Sequence, residues 1–322
     1  MSEWLRPAVA SRRRGPTAVA LHADGSRIRW VPQIASRWSK SGGQMDSKPV
    51  GSARSPEEFE WAPGVAGRIP DGGRMRYPPS RHDCPENPVT ELENPKLPDD
   101  RPLAVFCDFD GTFSVQDVGS TLAQKLLPEK RKGLWKRFEQ GEFTAWTYVM
   151  ALLDGLKLPE KDLDRFLETI DLDPGARSLL DWCRDANVPF RVLSDGFDWN
   201  LERLQAMNHI RFDYQANHLE YQGDLWKLRA GRPSDECGCG TGSCKRGIIA
   251  SYRNENPGAY CVHIGNGRVS DLCGALEADL AFAKDTLAPA LEEAGHAYVA
   301  FDTLHDVLAV LSNRANRGGE TR

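Results

Sequence analysis

The stretch LAVFCDFDGT, residues 103–112, runs five apolar residues straight into two aspartates separated by one residue. A short continuous apolar run reads as a strand buried on both faces, as in parallel sheets covered by helices. Ligands of such sheets bind at the carboxyl ends of the strands, and Asp108 and Asp110 stand at that end. Residues i and i+2 of a strand point the same way, so the two carboxylates face one place. Like charges that close repel unless a cation lies between them or one is protonated. Gly111 permits a turn that a Cβ would hinder, and Thr112 adds a hydroxyl and an N–H. A carboxylate nucleophile, a second carboxylate for proton transfer and a metal ion would use the whole arrangement. The blander reading is a capping pair at a strand-to-loop junction, which leaves the coincidence unexplained.

The rest of the chain from Pro102 onward supports a sheet of this kind. A helical region starts at DVGSTLAQKLL and continues, with breaks, to about Arg184; within it TAWTYVMALLDGL and EKDLDRFLETI carry helical spacing. ARSLLDWCRDA reads as a further amphipathic helix, and VPFRVLSDG as a second strand ending at Ser194. DWNLERLQAM is helical, and FDYQANHLEYQGDLWKL is a hairpin with Gly223-Asp224 near its turn. CKRGIIASYRN begins a helix; AYCVHIGNG, ADLAFAK and HAYVAFD are the third to fifth strands. Strands alternating with helices predict an α/β fold, a parallel sheet with helices on both faces.

Residues 1–98 differ: they are rich in Arg, Ser, Gly and Pro, lack a long apolar period, and read as a disordered extension. The Arg12-Arg13-Arg14 run is not followed by an apolar segment long enough for an export signal, and no apolar stretch reaches the length of a membrane helix. The formal net charge of −5 gives no footprint for nucleic acid. Eight cysteines in 322 residues are no disulfide framework, so the default location is the cytoplasm. Cys107 and Cys261 sit in strand-like runs and read as core residues. Cys237, Cys239 and Cys244, in ECGCGTGSCKRG, could hold zinc if a fourth ligand arrived, or respond to oxidation; C-x-C-x4-C is not a familiar zinc spacing, and a flexible glycine-rich flap is the favoured reading.

The DFDGT segment resembles the first motif of the haloacid dehalogenase superfamily, and three further motifs follow in that family's order: Ser194 in RVLSDG, Lys245 in SCKRGII, and the acidic loop IGNGRVSDLCGALEADLAFAK with Asp271. The resemblance covers roughly residues 102–311 and implies a Rossmann-like core, 99–115 with 186–315, and a helical cap, 116–185, inserted between the first and second motifs. It implies Asp108 as nucleophile, Asp110 as general acid and base, Ser194 and Lys245 as phosphoryl ligands, and Mg²⁺ held by Asp108, Asp110 and Asp271. The family usually has Asp where this chain has Asn266, which keeps the oxygen and removes a charge. Thr112, Asp117, Asp195 and Gly196 are the expected substrate contacts; Asp117 reads equally as a helix N-cap. The position of the insertion resembles the phosphoserine-phosphatase-like branch, and DFDGTFSVQDVGSTLAQKL, VLSDGFD and the Cys-rich segment look most like its methionine-salvage phosphatases. The implied activity is hydrolysis of a small phosphorylated metabolite, with phosphoserine or phosphoethanolamine/phosphocholine as other substrates. A catalytically weak binding protein and a phosphotransferase are the alternatives of another kind. The oligomeric state is not legible.

Overall fold

In a computed structural model of the protein, residues 91–93 and 95–317 are described, without the side chains of 314–317. Residues 1–90, nearly all of the expected extension, lie outside the described residues. The elements are β1 (Leu103–Cys107), α1 (Val118–Leu126), α2 (Pro128–Glu139), α3 (Ala145–Leu153), α4 (Glu160–Leu167), α5 (Ala176–Asp185), β2 (Phe190–Phe197), α6 (Asp198–Met207), β3 (Asp213–Gln222), β4 (Leu225–Arg229), α7 (Lys245–Glu255), β5 (Tyr260–Gly265), α8 (Arg268–Ala275), β6 (Leu280–Ala283), α9 (Leu287–Glu293), β7 (Val299–Ala300) and α10 (Leu304–Arg317).

The strands form one sheet in the order β4-β3-β2-β1-β5-β6-β7. Every pairing is parallel except β3 with β4. The apolar runs are therefore buried on both faces, as the continuous pattern of residues 103–107 requires. Val105 and Cys107 join Val192, Val262 and Phe282 in a core closed by Leu179 of α5, Leu201 of α6 and Leu304 of α10. Ala104 and Phe106 point the other way, onto Ile248 and Ile249 of α7. Successive strands leave β1 in both directions, toward β2 on one side and β5 on the other. That reversal opens a crevice at the carboxyl end of β1, where Asp108 sits.

The hairpin forms at the expected residues: Gln222 pairs with Leu225, and Gly223 and Asp224 both adopt positive φ, as a two-residue primed turn demands. Strand β2 does not end at Ser194 but continues to Phe197 through a register shift between Leu193 and Phe197. An irregularity there re-aims the Ser-Asp-Gly side chains out of the ladder. The last strand is shorter than expected, two residues within HAYVAFD.

Two boundaries differ from expectation. α5, expected in the cap, packs Leu179 and Cys183 into the main apolar cluster and lies against α10 and β2. Gly175 allows this close approach, since a Cβ there would run into the backbone of Leu304 and His305. Leu92 and Leu97, expected in the extension, join the core: Leu92 N–H donates to the Tyr298 carbonyl at 2.8 Å, and both leucines pack on the main apolar cluster. Leucine at an edge strand gains from leaving water, which a run rich in proline and charge concealed. No described helix is long and apolar enough to cross a membrane.

A chain starting at residue 98 will therefore melt below one starting at residue 91. Loss of the two leucine contacts is worth on the order of 1–3 kcal/mol, and paired thermal melts will show it; identical melting temperatures would contradict the packing of Leu92 and Leu97.

Candidate active site

Asp108 directly follows β1, and its own N–H donates to the Ile264 carbonyl of β5 at 2.8 Å, fixing the backbone at the crevice. Residues Phe109–Phe113 form a wide turn in which Gly111 has φ +79°, the left-handed region that glycine adopts without strain. A Cβ on Gly111 would strike the Asn266 amide. This close approach brings the Thr112 hydroxyl to within 3.2 Å of Asn266 Oδ1.

Lys245, first residue of α7, is completely buried between two carboxylates. Its Nζ donates to Asp108 Oδ1 and, at 2.5 Å, to Asp271 Oδ1. Burial opposes the ammonium charge, but Asp108 and Asp271 outweigh it and hold Lys245 above the usual lysine range. Burial would likewise raise Asp271, yet Lys245 and His263 hold it below the usual carboxylate range. Asp108 goes the other way: burial first, then the charge of Asp271, raise it well above that range against the pull of Lys245. Lys245 thus favours the charge of Asp271 most, and Asp108 is the carboxylate whose charge its surroundings favour least.

Asp110 turns toward the helical insertion. Its Oδ1 accepts from the Val118 N–H at 2.8 Å, and its Oδ2 from the Ser194 hydroxyl at 3.3 Å. Burial, with Asp117 adding to it, pushes Asp110 up to about 7 against those hydrogen bonds and Lys245. A carboxyl poised there can give a proton and take it back near neutral pH. Gly196 lets the bulge approach: a Cβ would come within 2.8 Å of Asp110 Oδ2, and the Gly196 N–H donates to Ser194 Oγ at 2.9 Å. Asp117 takes the N-cap role and stands at the cavity wall. It caps α1, accepting from the Ser120 N–H at 2.6 Å, and it lines the cavity above Asp110.

Asp195 is aimed differently. Its Oδ1 accepts from the N–H groups of Gly242 and Ser243 at 2.9 and 3.0 Å and from Asn217 Nδ2 at 3.0 Å. It anchors the loop leading into Lys245 while bordering the cavity. Burial raises it to about 6 against those hydrogen bonds.

The fourth-motif loop gives Asp271 and Asn266 distinct surroundings. Asp271 Oδ1 meets Lys245 and His263 Nε2, the latter at 3.1 Å; Oδ2 accepts from the N–H groups of Gly267 at 2.8 Å and Asn266 at 3.2 Å. These donors occupy the roughly four lone-pair positions of a carboxylate. Asp271 therefore stands behind the site as the counter-charge of Lys245 and the brace of the loop. Asn266 stands in front: its Oδ1 meets Thr112, and its Nδ2 donates to Asp285 Oδ2 at 3.2 Å. His263 and Asp285 were not legible in the sequence. His263 is one residue of an apolar strand, and Asp285 lies just past β6; only the sheet register brings them here.

Above these groups lies a cavity of about 410 Å³. Asp108 and Asp110 form its floor; Arg131, Trp135, Tyr148 and Leu152 of the insertion wall it. Trp135 and Tyr148 meet edge to face at 5.8 Å, and the Arg131 guanidinium lies 5.6 Å from the centre of the Trp135 ring.

A family profile described as haloacid dehalogenase-like hydrolase matches residues 105–275, more than half of the chain. The chain belongs to the haloacid dehalogenase-like hydrolases. Over 214 residues, 66% of this chain and 96% of the relative, it is 28% identical to the 2-hydroxy-3-keto-5-methylthiopentenyl-1-phosphate phosphatase of Bacillus mycoides (strain KBAB4). It is 27% identical to the phosphatase of the same name from Brevibacillus brevis, over 65% of this chain and 95% of that one. Among solved structures, the probable phosphoserine phosphatase from Vibrio cholerae superposes with a TM-score of 0.54 at 20% identity, covering 69% of this chain and 68% of that one. The expected architecture, a haloacid dehalogenase-like sheet with a helical insertion after the first motif, is the one observed.

Replacing Asn266 with Asp will place a carboxylate against Asp285 at a 3.2 Å contact that now carries a hydrogen bond. Asn266→Asp will melt lower than the parent protein without divalent cation and gain more on adding Mg²⁺, because a cation relieves the repulsion. Melting temperatures across a Mg²⁺ titration test this; two superimposable curves would place Asn266 outside the cation's reach.

Proposed function

We propose that the protein is a Mg²⁺-dependent phosphomonoesterase that works through an aspartyl-phosphate on Asp108. The observation that carries this reading is the buried Lys245, which joins Asp271 to Asp108, a residue that lines the cavity. A lysine so placed neutralises a phosphoryl oxygen next to the attacking carboxylate.

In the first step an Asp108 oxygen bonds to phosphorus as the bond to the ester oxygen breaks. Asp110, in its protonated form, gives its proton to that leaving oxygen. In the second step Asp110, now a carboxylate, takes a proton from water; the water oxygen bonds to phosphorus, the Asp108–phosphorus bond breaks, and inorganic phosphate leaves. The Ser194 hydroxyl and the Lys245 ammonium hold the phosphoryl oxygens.

The residues fit a divalent cation. Asp108 and Asp271 both bond to Lys245 and Asp110 lies beside them, so three carboxyl groups share one ammonium; a hard cation would offset the excess, with all-oxygen donors. Asp108, the Asp110 carbonyl and Asn266 would hold Mg²⁺, with Asp271 bracing the loop behind them. Bound there, Mg²⁺ would supply Lewis-acid stabilisation of the phosphoryl charge.

For substrate, we propose a small phosphorylated metabolite with an apolar tail, the enolic methylthio phosphate named for the relatives being the first candidate. Leu152, Leu153, Leu156 and Trp226 offer the tail an apolar wall. A second reading has its own observation: Asp117 and Arg131 both border the cavity, and together they could hold the ammonium and carboxylate of phosphoserine. The cytoplasm is the proposed location, which suits seven described cysteines that are all unpaired.

Phosphate release from a panel of metabolites, with and without Mg²⁺, decides between these readings. The methylthio enolic phosphate will be the best substrate and will require Mg²⁺. Asp108→Asn will lower turnover by at least about 10³-fold without lowering the melting temperature. Near-normal turnover in that variant would remove the nucleophile, and a preference for phosphoserine would move the substrate to the second reading.

A further inference from the structure

The cysteine-rich loop before α7 was expected to be a flexible flap, and its structure is the opposite. Cys237, Cys239 and Cys244 are buried, at 6%, 2% and 0% exposure. A fourth cysteine, Cys273 of α8, joins them from elsewhere in the chain at 2% exposure. All four are free thiols, and their sulfur atoms lie within 4.8 Å of one another.

A cysteine acting as a small hydrophobe belongs to a larger apolar core, as Cys107 and Cys183 do. This cluster does not. Its buried members are the four cysteines alone, apart from the three apolar cores. The backbone is shaped to collect them. Gly238 and Gly240, alternating with Cys237 and Cys239, both sit at φ +68°, where a side chain would be strained. Polar hydrogens approach the sulfurs: the Gly247 N–H points at Cys244 Sγ at 3.4 Å, and the Thr241 hydroxyl lies 3.2 Å from Cys239 Sγ. Donors of this kind support thiolates that ligate a metal.

We propose that Cys237, Cys239, Cys244 and Cys273 form a closed tetrathiolate site that binds one Zn²⁺. Zinc–sulfur bonds of about 2.3 Å in a tetrahedron put the sulfurs about 3.8 Å apart, so closing the cage on the ion takes at most about 1 Å between any two sulfurs. Four soft ligands in a closed shell select zinc over the hard cations suited to the oxygen-lined active site. No position is left open for water, which makes the ion structural. Binding releases the protons of whichever thiols are still neutral.

The ion would staple together the parts that shape the active site. Cys244 directly precedes Lys245, and Cys273 lies two residues after Asp271. Between Cys239 and Cys244 the loop gives the Gly242 and Ser243 N–H groups to Asp195, and the Gly240 carbonyl accepts from the Trp146 N–H of α3 at 2.9 Å. One zinc would thus fix the loop against α8, the β2 bulge and the helical insertion.

The test is metal content of the full-length protein, purified reduced and desalted into metal-free buffer. The expected result is about one zinc per chain, released stoichiometrically by a mercurial thiol reagent. Cys239→Ser and Cys273→Ser will lose it, to below about a tenth of the parent content, whereas Cys183→Ser, a buried cysteine outside the cluster, will keep it. Should the cluster variants fail to fold, Co²⁺ loading of the parent protein gives the decision, because a tetrahedral tetrathiolate has intense visible bands and thiolate-to-cobalt charge transfer. Parent protein without zinc, full zinc in Cys273→Ser, disulfides among the four cysteines, iron in place of zinc, or Co²⁺ loading without those bands would each overturn the proposal.

Discussion

One buried ammonium organises this site. Lys245 has no exposed surface and sits between Asp108 and Asp271. Removing an ammonium from water costs several kcal/mol, and only well-placed counter-charges offset it. The surrounding structure meets that demand. His263 and two backbone N–H groups hold Asp271 in place. Gly265 and Gly274 leave room where a Cβ would collide with Asp271 or Lys245. The lysine has one counter-charge fixed behind it, so the second carboxylate, Asp108, is left facing the cavity with raised basicity. Asp108 is the carboxylate that the proposed mechanism uses as nucleophile.

Much of this was legible in the sequence because strands and motifs coincide. Five apolar residues running into Asp-x-Asp-Gly-Thr fixed a buried strand and its functional end at once. The hairpin at Gly223-Asp224 was readable because both turn residues tolerate positive φ. Other features depend on neighbours distant in sequence. Cys273 reads as an ordinary helix residue until α8 folds beside the loop of residues 237–244. Asp285 gains its place only through the pairing of β6 with β5. Leu92 and Leu97 looked like part of a polar extension because two isolated leucines make no periodic pattern. α5 was assigned to the cap because its amphipathic spacing gives no sign of which layer receives its apolar face.

The loop from Arg229 to Lys245 links the chemistry to the architecture. It carries the lysine, clamps Asp195 of the β2 bulge, and touches the N-terminus of α3 in the insertion. Asp195, expected to meet substrate, borders the cavity and also fastens this loop. Lys245, the β2 bulge and the helical insertion therefore share a mechanical support, and a shift of the loop would disturb all three. The proposed zinc would give that support a rigidity that glycine-rich sequence lacks.

The central claim is that Asp108 becomes phosphorylated during turnover. The most direct measurement is acid quench of the enzyme during steady-state hydrolysis, borohydride reduction, and peptide mass spectrometry. An aspartyl-phosphate is reduced to homoserine, and the account predicts that conversion at Asp108 alone. Conversion at another carboxylate, or none while phosphate is being released, would contradict it.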